Sequence, residues 1–240
     1  MFRSFLLVAL MALLAACDLP APPPTGAPGA PVGPGRVAPD TAARNFIEVV
    51  NRVEPVAEEL CRSRTRGIDC DLLILVDDRP GAGVNAFQSV DRRGRPVIVF
   101  TLGIIAEARN ADELAFVLGH EAAHHFAGHL QAQQENAAAG AIVFEGLAAR
   151  SGLGARDIVR ARELGALIGT RAYSKAYELE ADRLGTIITW RAGYDPLRGA
   201  EFFTRIPDPG DEFLGTHPPN AARMQAVRDT LAQLRAGRGG

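Results

Sequence analysis

Residues Leu118-Gly119-His120-Glu121-Ala122-Ala123-His124-His125-Phe126-Ala127-Gly128-His129 decide how this sequence is read. Within them, His120, Glu121 and His124 form the pattern H-E-x-x-H. Positions four apart share one face of a helix, so the rings of His120 and His124 can meet a single cation. Glu121 lies about a hundred degrees further round the helix, close enough to touch a water on that cation. Two imidazoles with a carboxylate suit zinc, with one position left open for water. Zinc lowers the pKa of such a water, and Glu121 is placed to take its proton as the water attacks a polarised carbonyl. Leu114, Phe116, Val117 and Leu118 precede the motif and Ala122, Ala123 and Phe126 flank its end, which makes the helix apolar and buried. Histidines inside such a helix need partners.

A third protein ligand is required. The metzincin arrangement would put a histidine at position 130, which holds Leu130. His125 points away from the His120–His124 face, and His129 lies five residues beyond His124, so neither completes the site easily. Downstream, Tyr177-Glu178-Leu179-Glu180-Ala181-Asp182 supplies an acid with a second acid four residues on. A metal-binding glutamate there could be accompanied by Asp182 holding the distal nitrogen of a ligand histidine. Helical spacing does not choose between Glu178 and Glu180.

Outward from the motif, Phe46, Val49, Val53, Val56 and Leu60 recur at helical spacing and predict a helix over 41–64, with Pro55 as a kink. Short apolar runs at 72–76, 84–90 and 97–100 read as strands, the last two joined by the polar turn 91–95. Residues 111–134 read as one helix. The stretch 158–190 reads as one helix or two broken near Gly165–Gly169, stopped by Gly193 and Pro196, and a last helix covers 219–234. The fold class is α+β, helix-dominated with a small sheet, over 40–240.

The first forty residues differ. Arg3 followed by the uncharged run Phe5–Ala16 reads as a secretory signal over 1–16, too short for a comfortable transmembrane helix. Leu14-Ala15-Ala16-Cys17 resembles the bacterial lipobox, which makes Cys17 the lipidated first residue of the exported chain. Residues 17–39 form the anchor and its tether: eight of the sixteen prolines fall in 18–39, a composition that stays extended rather than packed. With Cys17 lipidated, Cys61 and Cys70 remain as a pair, expected to be bridged in an oxidising compartment. The chain is 47% hydrophobic and 22% charged, with a net charge of −2. Its 26 basic residues are offset by 28 acidic ones, so a nucleic-acid partner held by a broad basic field is disfavoured. No stretch after the N-terminal segment is long and uncharged enough to span a membrane.

Several blocks go together. Val84-Asn85-Ala86-Phe87 and the strand and turn from Pro96 to Gly103 form the first. His120–His129 is the second, Glu178–Asp182 the third, and Thr216-His217-Pro218 with Arg223 the fourth. In this order they resemble the HtpX and CAAX-prenyl-protease-type zinc metallopeptidases, a gluzincin family, and in layout its small bacterial lipoprotein members. The resemblance implies a zincin-like domain whose edge strand faces the active-site cleft. It implies one zinc ion per chain on His120, His124 and Glu178, with Glu121 as general base and Asp182 behind the ligands. Arg223 is expected to pair with an acid near the site. His217 either stabilises the oxyanion or binds the open zinc position and keeps the enzyme latent. The strand 97–100, with Val97 and Val99, is expected to be the edge to which substrate adds as a further strand, together with Asn85 and Phe87.

The expected function is therefore a lipid-anchored, periplasm-facing zinc endopeptidase of a bacterial envelope, with inner or outer membrane left open. Its expected substrates are unfolded or damaged envelope proteins, recruited by the cleft, the tether or an envelope partner protein. The competing expectation is a latent or non-proteolytic chaperone module whose zinc site is closed by His217. A purely structural zinc site fits poorly, because such sites close with four ligands and leave Glu121 without a role.

Overall fold

The computed structural model describes residues 35–207 and 217–237. The signal, Cys17, most of the tether and Thr216 lie outside the described residues. Helix α1 (Pro39–Arg64) starts with proline in its first turn, where the missing N–H costs nothing. Its buried face is Val49, Val53, Ala57 and Leu60, the spacing the sequence predicts. Pro55 stands on the exposed side and does not end the helix. A disulfide joins Cys61, near the end of α1, to Cys70 in the approach to the sheet, as expected.

The sheet comprises β1 (Leu73–Asp77), β2 (Ala86–Val90) and β3 (Pro96–Thr101), in the order β1-β3-β2. β3 runs parallel to β1, with Leu73 opposite Val97, and antiparallel to β2, with Phe87 opposite Val99. This corrects one expectation. Val97 and Val99 belong to the central strand, whose main-chain groups are engaged on both sides, so they cannot receive an added strand. The edge next to the active-site helix is β2. Thr101 N–H donates to Asn85 C=O. Pairs alternate along an antiparallel ladder, so Phe87 is bonded to β3 while the main-chain groups of Ala86 and Gln88 point outward.

Short helix α2 (Leu102–Glu107) is capped by the Thr101 hydroxyl, which accepts from Ile104 N–H. Helix α3 (Ala111–Phe126) is capped by Asn110 and buried along most of its length. The helix expected over 111–134 breaks at Gly128, whose left-handed φ of 71° suits glycine. Helix α4 (His129–Arg150) then leaves and returns as α5 (Ala155–Arg171). Gly165 and Gly169 do not break this segment. A Cβ on Gly169 would sit 2.0 Å from Asn136 C=O and one on Gly165 would sit 2.2 Å from Gly140 C=O, so both let α4 and α5 pack backbone to backbone. The break falls at 172–173, before α6 (Ser174–Arg191). Helices α7 (Pro196–Ala200) and α8 (Asn220–Arg235) close the core over α3 and α6.

The crossing of α3 and α6 positions the site. Glu178, Asp182 and Gly185 share one face of α6 by their spacing. At Gly185 a Cβ would lie 2.9 Å from His120 N, and at Gly119 a Cβ would lie 3.0 Å from Gly185 C=O. Two glycines thus let the helices touch where His120 must meet the α6 acids. No helix among the described residues is long and apolar enough to cross a membrane.

Candidate metal centre and active site

His120 and His124, one turn apart on α3, aim their Nε2 atoms at each other across 3.0 Å. Glu178 on α6 reaches between them, with Oε2 3.4 Å from His120 Nε2 and Oε1 3.4 Å from His124 Nε2. One ligand atom from each of the three lies within 4.8 Å of the others. Helical spacing left Glu178 and Glu180 undecided. The fold turns Glu178 into the core and leaves the Glu180 side chain 54% exposed on another face.

Each imidazole is held from behind. His120 Nδ1 lies 2.9 Å from Asp182 Oδ1. Asp182 is itself gripped by Arg223, Nε to Oδ2 at 2.8 Å and Nη2 to Oδ1 at 2.7 Å. The Arg223 guanidinium lies 3.6 Å from the centre of the Phe203 ring, a cation–π contact in a desolvated place. The support expected of Asp182 behind the ligands and the acid partner expected of Arg223 are therefore one cluster. His124 Nδ1 meets His129, a residue the sequence reading set aside. The signal for it was Gly128, which redirects the chain just before it. His125 points away from the site, its Nε2 2.6 Å from Asp69 C=O.

Burial works against a charge on His120, yet hydrogen bonds to Asp182 and Glu178 outweigh it and push its pKa up to about 10. Burial alone would raise the Glu178 carboxyl, but His120, His124 and His217 hold it well below the usual range. The carboxylates thus favour positive charge at His120, while burial, above all, keeps the His124 imidazole below its ordinary value. Burial pushes Glu121 up to about 7, with the positive charge of His120 and the backbone of Gln88 acting in the opposite sense.

These groups line a cleft of about 520 Å³: His120, Glu121, His124, Glu178, His217 and Arg223 all border it, together with Asn85 and Ala86 at the start of the β2 edge. His217 stands at the rim, Nδ1 3.2 Å from Glu178 Oε2. The Phe87 side chain does not join this wall. It alternates with Ala86 onto the other sheet face, beside Val99.

A buried H-E-x-x-H helix crossed by an acid-bearing helix, beside a small sheet, is the build of a metallopeptidase. The chain belongs to peptidase family M48, whose family model matches residues 48–231, and it is accordingly a hydrolase of peptide bonds. It is 32% identical over 147 residues to a putative β-barrel assembly-enhancing protease of Vibrio cholerae, covering 55% of this chain and 30% of that one. It is 28% identical over 158 residues to the β-barrel assembly-enhancing protease of Escherichia coli K12, covering 58% and 31%. The corresponding Yersinia pestis protein is 29% identical over 142 residues, covering 52% and 29%. Each match therefore takes in less than a third of the relative's own length.

Proposed function

We propose that this chain is a zinc-dependent endopeptidase of a bacterial cell envelope, lipid-anchored through Cys17, that cleaves unfolded or damaged envelope proteins. The observation that carries this reading is the convergence of His120, His124 and Glu178, with Glu121 lining the same cleft. The donor set fits zinc. Glu178 Oε2 is buried and accepts no well-aligned hydrogen bond, although His217, His120 and the Arg223 guanidinium stand 3.2, 3.4 and 3.5 Å away, so it keeps a lone pair that a cation would satisfy. His120, His124 and Glu178 would hold the ion, which when bound supplies Lewis-acid polarisation of a peptide carbonyl and a more acidic water.

The chain's own residues do the rest. Glu121 takes a proton from the attacking water and returns it to the departing amine. Asp182, braced by Arg223, keeps the His120 Nε2 lone pair directed into the cleft. Substrate lies as an added strand against the outward main-chain edge of β2 at Ala86 and Gln88, where Gln88 N–H also faces the Glu121 carboxyl. Main-chain pairing of this kind tolerates many sequences and favours chains that are already unfolded. The signal-like segment 1–16, Cys17 and the proline-rich tether support export and anchoring. The name of the relatives, which concerns β-barrel assembly, supports substrates in the envelope.

The test is cleavage of casein by the purified protein with zinc. Activity should vanish with a chelator and fall at least about a hundredfold in Glu121→Gln, the low end for a lost general base. Glu121→Gln should still bind zinc, and undiminished cleavage by that variant would sink the mechanism. The position of His217 beside Glu178 favours a second reading, a latent or chaperone-like module whose open metal position His217 occupies. His217→Ala separates the two: activity rises if His217 closes the site and falls if it serves the oxyanion.

A further inference from the structure

On an unbroken helix, residue 129 would stand about 140° round the axis from His124. The turn at Gly128 cancels that offset and folds His129 back over the His124 ring. His129 Nδ1 lies 2.9 Å from His124 Nδ1, and its Nε2 lies 3.2 Å from Glu180 Oε2. The ring is 2% exposed and stacks on Tyr177, with centroids 4.7 Å apart and planes 21° apart. Asn136 on α4 donates to the Tyr177 hydroxyl at 3.0 Å, tying the stacking partner back to the helix that carries His129.

One arrangement of protons satisfies this row and leaves His124 free to act as a ligand through Nε2. The Glu180 carboxylate only accepts, so the His129 proton sits on Nε2. Neutral His129 then offers a lone pair at Nδ1, which accepts from His124 Nδ1–H. His124 is left with a lone pair on Nε2, the atom facing His120 and Glu178. The opposite order, with His129 Nδ1 donating, would put the His124 proton on Nε2 and block it as a ligand.

We infer that His129 is a positioning residue that sets the tautomer and ring angle of His124, assisted by Glu180. The two imidazoles thus have different supports: a carboxylate braced by arginine for His120, and a second imidazole ending in a half-exposed carboxylate for His124. This assignment rests on the reading of His124 as a metal ligand through Nε2. It gives the second glutamate of Glu178-Leu179-Glu180 its own task. Because water can replace Glu180 at the exposed end, the larger share falls to His129.

The experiment measures zinc affinity of the full chain by competition with a chelator. His129→Phe keeps the stack on Tyr177 but removes the acceptor, while His129→Asn restores an acceptor near the Nδ1 position. Zinc Kd should rise about 10- to 100-fold in His129→Phe, the usual cost of losing such support. It should return to within about threefold of the parent in His129→Asn, and Glu180→Gln should change it by less than His129→Phe does. Nitrogen-15 spectra of the zinc-loaded parent should show His129 protonated at Nε2 and His124 at Nδ1. Unchanged affinity in His129→Phe, an Asn variant as weak as Phe, or His129 protonated at Nδ1 would each overturn the assignment. A parent chain that binds no zinc would instead overturn the reading of the site beneath it.

Discussion

Arg223 and Asp182, 41 positions apart in sequence, meet through two parallel hydrogen bonds in a place where Asp182 is fully buried and Arg223 is 5% exposed. The pair joins α8 to α6 and at the same time sets the oxygen that holds His120. Arg223→Met would leave a buried carboxylate without its counter-charge, and removing one member of such a pair costs about 3–5 kcal/mol. Urea unfolding should show that loss, and zinc affinity should fall with it. A variant as stable as the parent would mean that the pair adds nothing to the fold.

Glu178 and Glu180 stand two residues apart but face different surroundings. Glu178→Ala should abolish stoichiometric zinc, read by elemental analysis after dialysis. Glu180→Ala should leave the metal in place, because among the described residues its carboxylate reaches His129 and none of the three ligands. Equal losses from both would reassign the third ligand.

Gly185 has no room for a methyl group, since a Cβ would press on His120 N and Cα at 2.9 and 3.0 Å. The obstacle is backbone, so α6 must move away from α3 and carry Glu178 with it. Gly185→Ala should therefore cost activity and zinc affinity beyond its effect on melting temperature. Overpacking of this kind costs about 1–3 kcal/mol. A variant with full activity would show that the crossing has slack.

The Cys61–Cys70 bridge closes a loop with a sequence separation of nine. Chain-entropy arguments assign a loop of that size about 2.5–3 kcal/mol. Replacing both cysteines by alanine should lower unfolding stability by roughly that amount and leave casein cleavage at moderate temperature intact, because the bridge lies outside the cleft. Cleavage lost at a temperature where the variant stays folded would tie the bridge to the site.

The period of α1, three short strands, the active-site helix and its H-E-x-x-H were all legible, because each is written in local spacing. The order of the strands was not. Three short apolar runs look alike until they pair, although the unbroken run Val97-Ile98-Val99-Phe100 carried a hint, since a strand covered on both faces loses its alternation. The α3–α4 break was hidden because Ala127 and Gly128 are followed at once by a helix-forming segment. The contribution of His129 was hidden with it. Gly165 and Gly169 read as breakers by propensity, yet the fold uses their missing side chains for close approach. Helix period alone could not choose between Glu178 and Glu180, because the helix that faces α6 makes that choice.

The hairpin α4–α5 lies between His124 and Glu178 in sequence, and its two arms run side by side, with Asn136 against Gly169 and Gly140 against Gly165. Its length is therefore decoupled from the distance its ends must span. Matching turns deleted from both arms, or added to them, would leave the ends of α3 and α6 in register with each other. A chain segment of more than forty residues thus behaves toward the reaction centre as a short link. The tip at 151–154 is a place where this protein can accept an insertion, a tag or a fused module while the catalytic geometry stays as it is.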